Sequence, residues 1–229
     1  MNYQGGNLSE YAGKKHIYNR FKYIIEELRA RKGTILVIGS GDGSFERHLK
    51  ETNPALSITS IDLNEEFRNK FSGVSDTIII DDFLTHDFYH TFDYLVSVDV
   101  IEHILDTDAF LVKARELLTD DGYFYLQTPN VASWHGRLCL LFGFIPEAME
   151  VSMFKSYFGK FWIFRHENSI LHVRIFTYRA LREMCTYYGF KIERAVGIDY
   201  RIPSIFKLFP GIAGSVCLKL KKQVSAPRP

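Results

Sequence analysis

At 229 residues, 46% hydrophobic and 24% charged, the chain has the make-up of one large globular domain or a domain carrying an insert. A formal net charge of +1 supplies no overall field that would draw it to nucleic acid. Cys139, Cys185 and Cys217 have no CxxC spacing, which argues against a disulfide framework or a zinc ribbon; with no apolar signal core in residues 1–7 and no run reaching the about 18–20 apolar residues of a membrane span, the expectation is a reducing compartment, the cytoplasm.

In chain order, residues 1–13 are polar and contain three glycines, the make-up of a loose arm. Over 14–31, Ile17, Phe21, Ile24, Ile25 and Leu28 recur at helical spacing, and Lys32-Gly33 ends the pattern. Ile35-Leu36-Val37-Ile38 then predicts a buried strand over 34–38 that runs into Gly39, Gly41 and Gly43 and on into a helix over 43–52. Glycine lets the backbone turn sharply and lets a ligand approach, and the following helix presents free N–H groups to it. Strands are predicted over 56–61, stopping at Asp62, over 77–80, stopping at Asp81-Asp82-Phe83, and over 94–98, stopping at Asp99, with a short helix over 65–70. Asp106 caps a helix running to about Leu118, Asp120-Asp121-Gly122 reads as a turn, and strand five spans 123–127 before Thr128-Pro129-Asn130.

This five-fold β-α rhythm predicts an α/β, doubly wound, Rossmann-like sheet. Ligands of such sheets sit outside the carboxyl ends of the strands, so Asp62, Asp81, Asp82, Asp99 and Asn130 become neighbours of one site; aspartate is also common at strand-to-helix turns. Residues 131–172 break the rhythm with Trp134, Phe142, Phe144, Phe154, Phe161 and Trp162 among many aromatics, and are expected to form a partly helical cap over the site. A helix capped by Thr177 over 178–188, a strand over 190–198, a connection over 202–214 and a last strand over 215–220 complete one domain, 14–222; residues 223–229 form a disordered tail.

A dinucleotide fingerprint is G-x-G-x-x-G with an acid about twenty residues on. Here the third glycine comes one place early, Ser44 holds the dinucleotide position, and no second nucleotide-binding half follows residue 130. The run Ile35–Gly43 instead resembles the first motif of class I (seven-β-strand) S-adenosylmethionine-dependent methyltransferases. Ser60-Ile61-Asp62-Leu63-Asn64 resembles their second, Ile80-Asp81-Asp82-Phe83 their third, the stretch from Phe92 to Ile104 their fourth, and Leu117–Tyr123 their helix–turn–strand before strand five. The resemblance implies a seven-stranded sheet with strand seven antiparallel, and S-adenosyl-L-methionine as cofactor with S-adenosyl-L-homocysteine as product. It implies that Gly39, Ser40 and Gly41 line the methionine part, that Asp62 with Leu63 holds the ribose, that Asp82 takes the adenine amino group with Phe83 beside the ring, and that Val98 and Asp99 close over the methionine. Many members carry an acid where this chain has Val37; its absence leaves weaker binding, or another carboxylate such as Asp99, to hold the amino group.

Methyl transfer needs in-line approach, and an oxygen nucleophile gains from a base. His103, with Glu102 beside it, is the candidate just past strand four; packing or capping a turn is its alternative role. Val100-Ile101-Glu102-His103 resembles the ubiquinone-pathway type and many sugar- and natural-product-modifying members, and the segments at 128–134 and 171–177 resemble bacterial members associated with surface-glycan genes. These imply a small-molecule acceptor, with Asn130, Trp134, His172 and Arg174 facing its pocket; His172 and Arg174 could equally bracket a turn. No oligomeric state is implied.

Four other readings stand beside this one. Asp99, Glu102, His103 and His172 resemble the metal site of small-RNA 2′-O-methyltransferases, but a basic stripe is missing and Asp99 replaces a glutamate, so no metal is expected. A non-catalytic cofactor-binding protein would explain Val37. A dehydrogenase would use the same loop for NAD. Finally, the aromatic cap and Ile202–Pro210, with Lys219, Lys221 and Lys222 nearby, offer a weak membrane-surface contact; burial in the core or cap accounts for the same residues.

Overall fold

Alternation along the first strand decides where the helices pack. In β1 (Gly33–Ile38), Ile35 and Val37 point to one face of the sheet and Leu36 and Ile38 to the other. On the Val37 face lie Phe21, Ile24, Ile25 and Leu28 of α1 (Lys14–Leu28) and Phe45 and Leu49 of α2 (Ser44–Thr52). On the Leu36 face lie Phe110, Leu111 and Ala114 of α3 (Thr107–Leu117) and Leu181 and Cys185 of α5 (Tyr178–Tyr187). In this computed structural model, residues 14–65, 73–199 and 206–223 are described, the side chains from residue 19 onward. The expected arm over 1–13, most of the short helix over 65–70, Ile202 to Ile205 and the tail beyond 223 lie outside the described residues.

The strands β2 (Leu56–Asp62), β3 (Thr77–Ile80), β4 (Phe92–Val98), β5 (Leu118–Pro129), β6 (Phe190–Ile198) and β7 (Ser215–Lys222) join β1 in one seven-stranded sheet, in the order β3-β2-β1-β4-β5-β7-β6. β1 pairs in parallel with both β2 and β4, whereas β7 runs antiparallel to β5 and β6. Strand seven is therefore the reversed one, as the resemblance implies. The strand order turns back at β1, which opens a crevice beyond the carboxyl ends of β1 and β4.

Three local expectations change. The helix over 14–31 stops at Leu28, because the Asn53 side-chain amide donates to the carbonyls of Leu28 and Arg31 at 2.8 and 2.7 Å and ends it there. The Asp120-Asp121-Gly122 turn lies inside β5: Leu118 already pairs with Phe92, and a register shift before Tyr94 takes up the extra residues as a bulge. A side chain at Gly122 would stand 2.7 Å from the Asp93 carbonyl oxygen, so the bulge needs glycine. Between β3 and β4, residues 81–91 are turns and coil, so the β-α rhythm lacks a helix there.

Of the 131–172 segment, only α4 (Trp134–Leu141) and a single 3-10 turn, Trp162–Phe164, are helical. Its anchor is Lys160, whose buried ammonium donates to the Glu147 carbonyl and the Ser156 hydroxyl and faces Glu150 at 3.9 Å. Cys139, Cys185 and Cys217 are free thiols, all buried. No described helix is long and apolar enough to cross a membrane.

Candidate active site

Sheet register sets the order of groups along the crevice. β3 ends at Asp81 and Asp82, β2 at Asp62, β1 in the glycine loop, and β4 at Asp99. The loop is locked at its start: the Gly39 N–H donates to the Ile61 carbonyl at 2.9 Å, and a side chain there would strike Val100 Cγ2 at 2.3 Å. Gly39, Gly41 and Gly43 all have positive φ, 73°, 56° and 72°. A Cβ on Gly41 would meet nothing within 4 Å, so this glycine faces open space where a ligand's backbone-close groups would lie. Gly43 then caps α2 in the left-handed conformation. Ser40 is buried below the loop, its hydroxyl reaching the Val37 carbonyl at 3.5 Å.

Asp62 turns one carboxylate oxygen to the glycine loop and the other to its own turn. Oδ2 accepts the Gly41 N–H and Oδ1 the Asn64 N–H, each at 2.9 Å. Burial raises its carboxyl above the usual range, against these backbone bonds. Leu63 beside it is 70% exposed, an apolar surface at the mouth of the crevice. Asp82 holds its own turn, with Oδ1 accepting the Leu84 N–H at 2.8 Å. Asp81 pairs with His86 at 2.9 Å, and this bond holds its carboxyl below the usual range. The resemblance implies Phe83 beside the adenine; its ring is buried among Phe88 and Phe110, at centroid distances of 6.1 and 5.2 Å, and packs the core.

On the other side of the loop, Val98 is half-buried and Asp99 adopts φ 53°, its N–H donating to the Gln127 carbonyl at 3.0 Å. Arg20 of α1 reaches across to pair with Asp99 Oδ2, while Asp99 Oδ1 is buried without a hydrogen-bond partner. Sequence reasoning missed Arg20, which looks like any surface cation between the apolar positions of a helix. It also missed Glu46. That side chain is fully buried beneath the loop and accepts the Ser60 hydroxyl at 2.9 Å. Burial pushes its carboxyl up to about 7, against the hydrogen bonds of Ser40 and Ser60. Ser60 is also the β2 partner of Val37, so the acid near this level comes from α2 and not from β1.

Past β4, the 3-10 turn Ile101–His103 turns Glu102 inward and brings it to His103 and His172. Glu102 is 2% exposed; its Oε2 accepts the Thr128 hydroxyl at 2.8 Å, and Oε1 is buried without a partner. Burial, reinforced by Asp99, pushes its carboxyl up to about 8. His103 Nδ1 lies 3.1 Å from the Leu171 carbonyl and His172 Nδ1 2.9 Å from that of Ala148. A carbonyl accepts, so each Nδ1 carries the hydrogen and each neutral ring keeps its lone pair on Nε2. The rings sit 5.0 Å apart, edge to face. Burial and the neighbouring His172 lower the pKa of His103 below the ordinary imidazole value.

The remaining three expected pocket residues are occupied elsewhere. The Asn130 amide donates to the carbonyls of Pro210 and Ala213 and accepts the Ala132 N–H, which fixes the turn before β7. The Trp134 indole donates to Asp199 at 3.3 Å and stacks on Phe206. Arg174 is exposed and clasps the Leu105 carbonyl at 3.1 and 2.5 Å. Of the four, His172 alone joins Glu102 and His103. Its neighbours explain why: the N–H groups of Val173 and Arg174 both donate to the Glu102 carbonyl at 2.9 Å, clamping this distant segment to the turn after β4.

A family model described as a methyltransferase domain matches residues 14–195. No curated protein sequence matches the chain. Among solved structures, a protein from Pyrococcus horikoshii OT3 is 16% identical, with 94% of this chain and 92% of that one covered and a TM-score of 0.62. An S-adenosylmethionine-dependent methyltransferase from Clostridium acetobutylicum is 14% identical, with 94% of both chains covered and a TM-score of 0.61. The 1,6-didemethyltoxoflavin-N1-methyltransferase of Burkholderia thailandensis is 14% identical over 94% of this chain and 82% of that one, with a TM-score of 0.62. With the seven-strand order, the reversed β7 and a glycine loop lacking the dinucleotide spacing, this match displaces the dehydrogenase reading: the chain belongs to the methyltransferase-domain family, as a class I S-adenosylmethionine-dependent methyltransferase.

Proposed function

We propose that the chain methylates an oxygen, or a nitrogen, of a small molecule of the sugar, quinone-like or natural-product kind. The observation that carries this reading is the succession along one sheet edge of an open glycine loop and then a cluster of two imidazoles and a buried carboxylate. S-adenosylmethionine supplies an activated methyl on a sulfonium. Asp62 would take the ribose hydroxyls, two adjacent donors suited to a carboxylate's two oxygens. Leu63 offers an apolar flank and Asp82 an acceptor for the adenosine; Gly39, Ser40, Gly41 and Val98 would border the methionine end, with Asp99 as the carboxylate for its ammonium. His103, with its lone pair on Nε2, would take the acceptor proton as the new bond forms, its ring held at Nδ1 by the Leu171 carbonyl and with Glu102 and His172 beside it. The Burkholderia structure holds S-adenosylhomocysteine together with a small-molecule acceptor, which supports the same pair of ligands here.

The test has two stages. S-adenosylhomocysteine, and not NAD, should raise the melting temperature of the purified protein. Methyl transfer should then appear with members of a panel of sugar nucleotides, quinone precursors and small acids, and not with short RNA. Transfer to RNA alone would support the 2′-O-methyltransferase alternative, and binding without transfer to any acceptor the non-catalytic one.

The cap supports a second reading, weak contact with a lipid surface. Leu141, Phe142, Phe154 and Trp162 are exposed on it, as are Leu208 and Phe209. Arg137, Arg165 and Lys207 lie exposed among them in sequence, with Lys155 half-buried. Apolar and basic groups together suit an anionic interface.

A further inference from the structure

Glu102, His103 and His172 hold a feature that proton transfer leaves unexplained: a buried carboxylate oxygen aimed at two imidazoles and bonded to neither. One ligand atom from each of the three residues lies within 4.8 Å of the others. Glu102 Oε1 has no hydrogen-bond partner, and its distance to His172 Nε2 is 4.0 Å, too long for a direct hydrogen bond. An orphaned acceptor inside the protein is destabilising, and such groups call for an occupant.

The surroundings are those of metal ligands. Ligating histidines characteristically give their other ring N–H to a carbonyl or carboxylate, which fixes tautomer and ring orientation. Both rings do so here, at the Leu171 and Ala148 carbonyls. The second oxygen of Glu102 is likewise held, by Thr128. The backbone that delivers these groups is fixed too. Leu171 sits at φ 58°, a costly conformation for leucine. Its N–H is bound to Glu150 at 2.8 Å, and Glu150 faces buried Lys160. Cap and sheet thus converge on one point from residues 68 or more apart in sequence.

We propose that Glu102, His103 and His172 bind one divalent transition-metal ion that presents its remaining coordination positions to the methyl acceptor. Two imidazole nitrogens and one carboxylate oxygen suit zinc, cobalt, manganese or iron(II) rather than magnesium or calcium. Ligand atoms about 2.1 Å from an ion stand roughly 3–3.5 Å apart, so closing the triad requires side-chain shifts of about an ångström. Three protein ligands leave room for an exchangeable one, the arrangement of catalytic rather than structural sites. In the metal-bound protein His103 Nε2 is a ligand and not a base. The ion then acidifies the acceptor hydroxyl, whose proton passes to solvent water, and the oxygen forms its bond to the methyl carbon as the carbon–sulfur bond breaks.

The acceptor role rests on the small-molecule reading above; binding of the ion does not. The test uses untagged, metal-stripped full-length protein titrated with cobalt(II), followed by visible absorption, and with zinc(II), followed by calorimetry. One equivalent should bind, with the absorption of a low-symmetry nitrogen–oxygen site. His172→Ala and Glu102→Gln should each weaken binding tenfold or more. The thermal shift produced by S-adenosylhomocysteine should survive in His172→Ala, which shows that this variant is folded even if the buried Glu102 change is not tolerated. Absence of stoichiometric binding, or equal binding by unchanged protein and His172→Ala, overturns the proposal. Chelator-insensitive methylation of a small molecule would overturn the catalytic role of the ion and leave the function above intact; bound metal without any small-molecule methylation would do the reverse.

Discussion

Arg20 and Asp99 form an ion pair that ties α1 to the end of β4, beside the glycine loop. The two side chains are 23% and 19% exposed, so the pair is partly shielded and faces the crevice side of the sheet. Asp99 Oδ1 is left without a partner, inside the protein. A carboxylate in this state, one strand over from the loop, is suited to an incoming ammonium, and the guanidinium that already holds it is suited to the carboxylate of the same amino acid.

Asp99→Asn is accordingly expected to weaken S-adenosylhomocysteine binding about ten- to a hundredfold, the worth of one charge-assisted hydrogen bond. Calorimetry checks it, with adenosine as control: adenosine affinity should stay within about twofold, because that ligand lacks the amino-acid end. Equal losses for both ligands would show that Asp99 supports the fold and not the methionine end.

An acid in place of Val37, as the resemblance of the first motif implies, should not help this chain. Val37 is 4% exposed and packs with Phe21, Ile35 and Phe45 between the sheet and its two N-terminal helices. A carboxylate at this place would be desolvated against hydrocarbon. Val37→Glu is expected to lower unfolding stability by on the order of 3 kcal/mol and to leave cofactor affinity no better. Urea denaturation and calorimetry on the same variant read the two effects separately. Tighter binding at unchanged stability would mean that the side chain can swing out of the core to the ligand.

Much of this was legible in the chain. Strand ends at Asp62, Asp82 and Asp99 could be read because buried parallel strands are short apolar runs, and the acids that stop them are local signals. The α3 cap at Asp106 was legible for the same reason: its side chain accepts the Ala109 N–H at 2.9 Å. What the sequence hid depends on contacts between distant segments. Arg20 meets Asp99 only after α1 packs on the sheet. Asn130 resembles a pocket amide in the linear motif, yet the return of residues 210–213 consumes it. Phe83 sits next to Asp82 in sequence, yet the turn that begins at Asp82 carries its ring into the core against Phe88 and Phe110. The Asp120-Asp121-Gly122 turn has ordinary turn chemistry, and pairing with β4 overrides it.

The exposed face of the cap gives a test at the scale of the whole molecule. Phe154 is 78% and Trp162 70% exposed, on a segment whose internal order rests on Lys160 and Glu150 and not on these side chains. The protein should pellet with vesicles of anionic phospholipid and less so with zwitterionic ones. The double change Phe154→Ser and Trp162→Ser should cut the bound fraction severalfold without lowering the melting temperature, since neither ring is buried. Pelleting that is absent, or unchanged in the variant, would overturn the lipid-surface reading.

Glu46 gives a prediction whose sign follows from linkage. Its carboxyl rises from about 4.5 to about 7 on folding, because burial penalises the charged form. The folded protein therefore holds this proton more tightly than the unfolded chain does. The contribution to stability is complete below about pH 4.5 and is lost as pH rises through about 7. A shift of this size corresponds to about 3 kcal/mol across the window. Glu46→Gln keeps the uncharged shape and an acceptor for the Ser60 hydroxyl while removing the titration. Relative to the unchanged protein, the variant should be more stable at pH 8 and equal to it or slightly weaker at pH 4.5. The comparison is a difference between two urea curves at each pH, so other titrating groups, Glu102 among them, cancel to first order. Parallel stability profiles for the two proteins from pH 4.5 to 8 would show that folding does not raise the carboxyl's pKa. In that case Glu46 holds its charge beneath the glycine loop.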